Sequence, residues 1–155
     1  MHDHPSHALL DAHQTEHHRS TARTCSPQRS PGGRWSPPLT WSNELAADAQ
    51  AYAEKLARTQ SFQHATCDDG ENLYWYSATT AHPGEDASLS WLEERDAYRH
   101  GRGWHRNFSE VGHYTQMIWK DTKQVGIGTA VASDGSTYVV ARYHPAGNYT
   151  NQLPY

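Results

Sequence analysis

The chain has 155 residues, a length that supports one domain with its own core and leaves little room for a two-domain cofactor enzyme. Its formal net charge is −4 and no long basic run occurs, so nucleic acid is a poor candidate partner. Only 35% of the residues are hydrophobic, but 6 Trp and 9 Tyr supply large buried areas and predict a folded core built on aromatics rather than on Leu and Ile.

The start, Met1-His2-Asp3-His4-Pro5, lacks the basic-then-apolar form of a signal peptide, which leaves a cytosolic chain or one whose leader has been removed. Residues 1–7 read as a flexible tail, 8–150 as a single domain and 151–155 as a second tail. Leu9, Leu10, His13 and His17 recur at spacings of three and four, predicting a helix from about Ser6 to His18. Its imidazoles form a polar face or an adventitious metal site. Residues 19–38, rich in Ser, Arg, Pro and Gly, read as a loop insertion that carries Cys25.

From Ser42 the pattern changes: Leu45, Ala49, Tyr52, Ala53 and Leu56 predict an amphipathic helix capped by Ser42. A turn-rich stretch over 61–70 leads into Leu73-Tyr74-Trp75-Tyr76, a short strand whose alternation divides its aromatics between core and surface. A second helix is expected from near Pro83 to Asp86, with Ala87, Trp91, Glu94 and Tyr98 along one face. Further on, Val125–Val131 and Thr137–Tyr143 flank Ser133-Asp134-Gly135-Ser136, the signal of a tight antiparallel hairpin. Helices first and a hairpin last indicate an α+β fold. No stretch reaches the roughly 20 apolar residues of a membrane span.

Common catalytic signatures are missing: no His-Glu-x-x-His helix, no Gly-x-Ser-x-Gly elbow, no phosphate-binding glycine loop and no Cys-x-x-Cys pair. Four polar residues stand beside apolar neighbours: His64 after Phe62, Glu71 before Leu73, Glu94 after Trp91, and His113 ahead of the run to Trp119. Charge at the edge of a core is costly unless paired. Two imidazoles and two carboxylates can satisfy one another, and the same set can hold a divalent cation. Cys67 and His64 suggest a nucleophilic dyad, against the simpler reading of a structural or idle thiol. The triplets beginning at Asn107 and Asn148 fit the N-glycosylation pattern, which matters only in a eukaryotic secretory route.

The run Gly112-His113-Tyr114-Thr115-Gln116-Met117-Ile118-Trp119 resembles the first signature of the CAP superfamily, which includes cysteine-rich secretory proteins, venom antigens and plant pathogenesis-related proteins. Gly70-Glu71-Asn72-Leu73 is similar to that family's Gly-Glu-Asn-Leu segment, Trp91-Leu92-Glu93-Glu94 to its Trp-x-x-Glu helix, and Arg142 through Tyr149 to its second signature. The resemblance implies an α-β-α sandwich with a central antiparallel sheet and a cleft of two histidines and two glutamates. These fall on His64, Glu71, Glu94 and His113, with Glu94 rather than Glu93 standing three residues after Trp91. It further implies zinc or another divalent cation bound by His64 and His113, with Glu71 and Glu94 as neighbouring carboxylates.

Two departures stand out. Ala141 occupies the place of a usual cysteine, and the first helix reads His13-Gln14 followed by His17. One family disulfide is therefore absent, while Cys25 and Cys67 are either bridged or two free thiols. The expectation for function is a secreted or cell-surface binding module that takes a divalent metal and a lipid, sterol or other small amphiphile. The alternative is a zinc-dependent hydrolase, protease or esterase, with Glu71 or Glu94 as general base.

Overall fold

The computed structural model describes residues 37–155. The expected Ser6–His18 helix, the loop up to residue 36 and Cys25 lie outside the described residues. The elements run β1 (Thr40–Trp41), α1 (Asn43–Thr59), β2 (Gly70–Tyr76), α2 (Pro83–Glu93), two short 3-10 turns, α3 (Phe108–Met117), β3 (Gln124–Val131) and β4 (Thr137–His144).

Helix α1 starts where the sequence pattern changes. Ser42 is extended, and its hydroxyl accepts the Leu45 N–H at 3.2 Å, satisfying one of the amides that a helix start leaves open. Leu45, Ala49, Ala53 and Leu56 then form the buried stripe. Gln60 closes the helix in the left-handed conformation and donates its N–H to the Leu56 carbonyl.

The strands form one sheet in the order β1-β3-β4-β2. Its three long strands are antiparallel, with β4 in the middle, paired from Thr137↔Val131 to His144↔Gln124 on one side and from Thr137↔Tyr76 to Tyr143↔Gly70 on the other. The edge strand β1 adds two parallel pairs, Thr40↔Gln124 and Trp41↔Val125. Sequence reading does not find it, because two residues carry no periodicity. The β3–β4 connection is wider than a two-residue turn: Ala132 donates to the Ser136 carbonyl, and Gly135 takes a positive φ of 85°. The Asp134 carboxylate closes it by accepting the Ser136 N–H and hydroxyl.

Helices cover both faces. On one, Ala49, Ala53 and Leu56 pack on Leu73, Tyr138 and Val140. On the other, Ala87 and Trp91 of α2 pack on Val139, Ala141 and Tyr143. The contact of α1 with β3 is backbone on backbone: a Cβ at Gly126 would stand 2.1 Å from the Ala46 nitrogen, and one at Gly128 would stand 2.2 Å from the Gln50 nitrogen. Gln50 also reaches past β1 to the outer edge of β3, where its amide donates to the Thr129 carbonyl and accepts the Thr129 N–H, both at 2.9 Å. At the opposite edge the Trp91 indole donates to the Leu73 carbonyl of β2.

The aromatic core expected from composition is densest in one region. Tyr98, Trp104, Tyr114 and Trp119 pack around α3, whereas the α1 face is built on Ala, Leu and Val with Tyr138, and the α2 face carries Trp91 and Tyr143. Residues 151–155 follow as a tail that docks on this aromatic cluster, with Lys120 donating to the Pro154 carbonyl and Tyr155 stacked on His100 at 4.7 Å.

Two local expectations are corrected. Helix α2 ends at Glu93, so Glu94 and Tyr98 do not continue its face; Glu94 opens a tighter 3-10 turn whose carbonyl accepts from Ala97 and Tyr98 and swings Tyr98 into the α3 cluster. Trp75 and Tyr76 are both exposed rather than divided between core and surface; they stand at the end of an edge strand, where the sheet is open.

Candidate functional site

Successive residues of a strand face opposite ways, and at the start of β2 this divides the candidate site in two. Glu71 points to the α1 face, with Leu73, and lies directly opposite Arg142 of β4. Asn72 points to the α2–α3 face, where its amide donates to the His113 carbonyl at 3.1 Å and to the Tyr143 hydroxyl at 3.3 Å.

On the α1 face, the loop from Gln60 to Asp69 carries His64 back over Glu71. The imidazole Nδ1 lies 2.6 Å from Glu71 Oε1, which also accepts the Ala65 N–H at 3.0 Å. Glu71 is buried, its side chain 5% exposed, while the His64 ring stands 63% exposed. The charge on Glu71 is met by Arg142, whose Nη1 is 3.1 Å from Oε2. This is an ion pair without hydrogen-bond alignment, since Glu71 Oε2 and Arg142 Nε are both buried with no hydrogen-bond partner. The guanidinium lies over the Tyr52 ring at 5.2 Å and donates to Cys67 Sγ. Burial and the nearby Glu71 charge push the Tyr52 hydroxyl above its ordinary value, with Arg142 opposing.

On the other face, His113 sits within α3 with its Nδ1 2.6 Å from Glu94 Oε1. The second oxygen of Glu94 accepts the backbone N–H groups of His113 and Tyr114, each at 3.0 Å. The His113 ring is 34% exposed and stacks on Trp91, centroids 5.9 Å apart and planes 19° from parallel. A groove of about 580 Å³ wraps the free edge of β2 here, lined by Trp91, Glu94 and His113 and continuing to Phe62 and Trp75. His64 lines a different groove, with Cys67 and Arg142.

The four residues named from sequence thus come together as two imidazole–carboxylate pairs. Among the described residues, no three His, Cys, Asp or Glu side chains are grouped to hold an ion. The donor chemistry nonetheless suits a divalent metal: a histidine that gives its Nδ1 proton to a carboxylate keeps the Nε2 lone pair for a ligand bond. Sequence reasoning missed Arg142, although a cation inside the apolar run from Tyr138 to Tyr143 is a signal in itself, since a buried charge needs a partner. It also missed Asn72, whose amide ties the strand to α3. The choice between a Cys25–Cys67 bridge and two free thiols lies partly outside the described residues.

Residues 18–143 match the model of the cysteine-rich secretory protein (CAP) family. The human Golgi-associated plant pathogenesis-related protein 1 is 41% identical over 126 residues, covering 75% of each chain. Pathogenesis-related protein PR-1 of Medicago truncatula is 34% identical, covering 76% of this chain and 68% of its own. Among solved structures, BmVAL-1 superposes with a TM-score of 0.65 at 28% identity, over 80% of this chain and 69% of its own. NaASP2, solved with Zn2+, gives 0.64 at 30% identity, over 76% of this chain and 65% of its own.

Proposed function

Because the chain belongs to the cysteine-rich secretory protein (CAP) family, we propose that it is a binding module of the secretory route or cell exterior that takes a divalent metal, zinc first, shared by His64 and His113 from either side of β2. One observation carries this reading: each imidazole has its Nδ1 fixed by a carboxylate at 2.6 Å, which leaves Nε2 as the metal-facing atom in both. A relative of 30% identity solved with Zn2+ supports the choice of metal. Zinc bound there supplies a Lewis-acidic centre for an anionic group of a ligand.

The chain's own residues supply the rest. Glu71 and Glu94 orient the rings, Asn72 ties β2 to the His113 turn, and the exposed faces of Phe62 and Trp75 offer apolar surface to the body of a small amphiphile. Both carboxylates are already engaged, Glu71 by His64, Ala65 and Arg142, Glu94 by His113 and Tyr114. These contacts support an orienting role for the two carboxylates over that of a general base. No helix among the described residues is long and apolar enough to cross a membrane.

The test is calorimetric titration of the full chain with zinc, after replacing the six amino-terminal histidines (2, 4, 7, 13, 17 and 18) by Ala to silence that cluster. One-to-one binding is expected. It should weaken in acid, because protons compete for imidazole, and it should vanish when His64 and His113 are also Ala. Unchanged zinc binding in that last variant refutes the assignment.

A further inference from the structure

The stretch between α2 and α3 bears a charge that neither imidazole pair uses. Residues 95–106 hold four arginines against one aspartate, in a chain whose formal net charge is −4. Local structure sorts this stretch into an inner and an outer side. Tyr98 and Trp104 are buried in the aromatic cluster on α3, where the Trp104 indole donates to the Gln152 carbonyl at 2.7 Å. Arg95, Arg99, Arg102 and Arg106 are left exposed. The chain doubles back between them: the Trp104 N–H donates to the Gly101 carbonyl, and the Asn107 amide lies 3.5 Å from the Ala97 carbonyl, which brings the second 3-10 turn against the first. Arg99 is braced by its Nη1, which donates to the carbonyls of Asp96 and Tyr98, and these bonds use only part of its five N–H groups. Among the described residues, Arg99, Arg102 and Arg106 form no ion pair, and Arg95 has a loose one, its Nε 3.8 Å from an Asp96 oxygen with both side chains in water. A pair of that kind is worth little, so the positive charge of the patch stands largely unopposed.

We infer that this face binds a sulfated polysaccharide, with the arginines taking its sulfate groups. A guanidinium is flat, permanently charged and weakly hydrated, and its paired N–H groups match two oxygens of one anionic group. Several of them on two joined turns hold one strand at more than one sulfate, and that multiplicity offsets the weakness of each contact on an open surface. The layout of charge favours a narrow chain over an anionic membrane. Glu93, Asp96 and Glu110 are exposed within or beside the patch, and a plane of negative lipid would meet them together with the arginines. A single strand runs past them. The inference rests on the cell-exterior half of the proposed function, where sulfated polymers lie, and makes no use of the metal.

The experiment titrates the full chain with a heparin octasaccharide in a calorimeter, at neutral pH and in the presence of chelator. Binding is expected, and it should weaken as salt rises. The triple variant Arg95→Gln, Arg102→Gln, Arg106→Gln should bind roughly tenfold more weakly, as three exposed charge contacts together allow. The variant Arg58→Gln, Lys120→Gln, Lys123→Gln has the same net charge, also alters exposed side chains, and should keep most of the affinity. Heparin stripped of its sulfates should lose most of it. Equal losses in the two variants, undiminished binding of the desulfated chain, or capture by phosphatidylserine vesicles without binding to heparin overturns the inference, as does no binding at all. Should the patch variant fail to fold, Arg102→Gln alone is expected to lower affinity about two- to threefold, and an unchanged affinity there overturns the inference equally. Because chelator removes any metal, failure of the zinc reading leaves these results standing. Heparin binding by a chain that cells do not export would refute the exterior location rather than the surface.

Discussion

The two imidazole–carboxylate pairs have the same contact distance and are built by different physics. In the His64 pair the carboxylate is buried and the ring stands in water; a cross-strand guanidinium neutralises the charge. In the His113 pair the carboxylate is held by two main-chain amides of α3, and the ring is half-sheltered against Trp91. A carboxylate can thus be fixed by a neighbouring charge or by backbone dipoles. The first arrangement rests mainly on a side-chain charge, with one loop amide beside it, whereas the second draws on two amides of a helix.

The sharpest way to break this comparison is to remove each support in turn. Arg142→Ala leaves the Glu71 charge buried and uncompensated, and should lower unfolding free energy by about 3–5 kcal/mol in urea titration. Glu94→Ala removes an acceptor from two partly buried amides and should cost less, about 1–3 kcal/mol. The reverse order would show that the α3 amides, not the ion pair, are the more demanding support. Replacing Arg142 and Glu71 together by Met and Leu should recover most of the loss, since no isolated charge then remains.

Next in size is metal affinity. Glu71→Gln and Glu94→Gln keep an oxygen in place but weaken the grip on each ring, and zinc affinity in calorimetry should fall roughly 10- to 100-fold for either. A much larger loss from one of them would make that carboxylate a direct ligand. Trp91→Phe keeps a ring beside His113 but orphans the Leu73 carbonyl, a cost of about 1 kcal/mol in stability with zinc affinity little changed.

The smallest effect lies away from both pairs, in the β3–β4 turn. The Ser136 hydroxyl and N–H hold the Asp134 carboxyl below its ordinary value. Its contribution is therefore complete above the ordinary carboxylate range and is lost as pH falls through the lowered one. Stability curves of wild type and Asp134→Asn should differ slightly at neutral pH and converge in strong acid.

Much of this was legible in the sequence, for reasons that differ by element. Helix α1 announces itself through a capping serine and a three-four apolar stripe, and the hairpin through an Asp-Gly pair between two β-rich runs. Glu71, Glu94 and His113 were found because each stands in a motif, and His64 because it is a polar residue beside Phe62. Their division between two faces was not, although it follows from the adjacency of Glu71 and Asn72 on one strand. Arg142 is separated from Glu71 by 71 positions, and only the register of β2 on β4 brings them together. The end of α2 at Glu93 was hidden because Glu94 is committed to amides on α3, a demand that no periodicity in its own segment records.

The amide of Gln50 on Thr129 has a consequence for how separate molecules meet. A strand bears unpaired N–H and C=O groups along any open side, and another chain can lay itself down there and prolong the ladder. At β3, beyond the two residues of β1, a visiting strand finds Thr129 already occupied in both directions. At the far side the Leu73 carbonyl is taken by an indole. The sheet is stoppered at both ends by its own side chains, so crowding brings neighbours into contact without offering them these points as a template for growth.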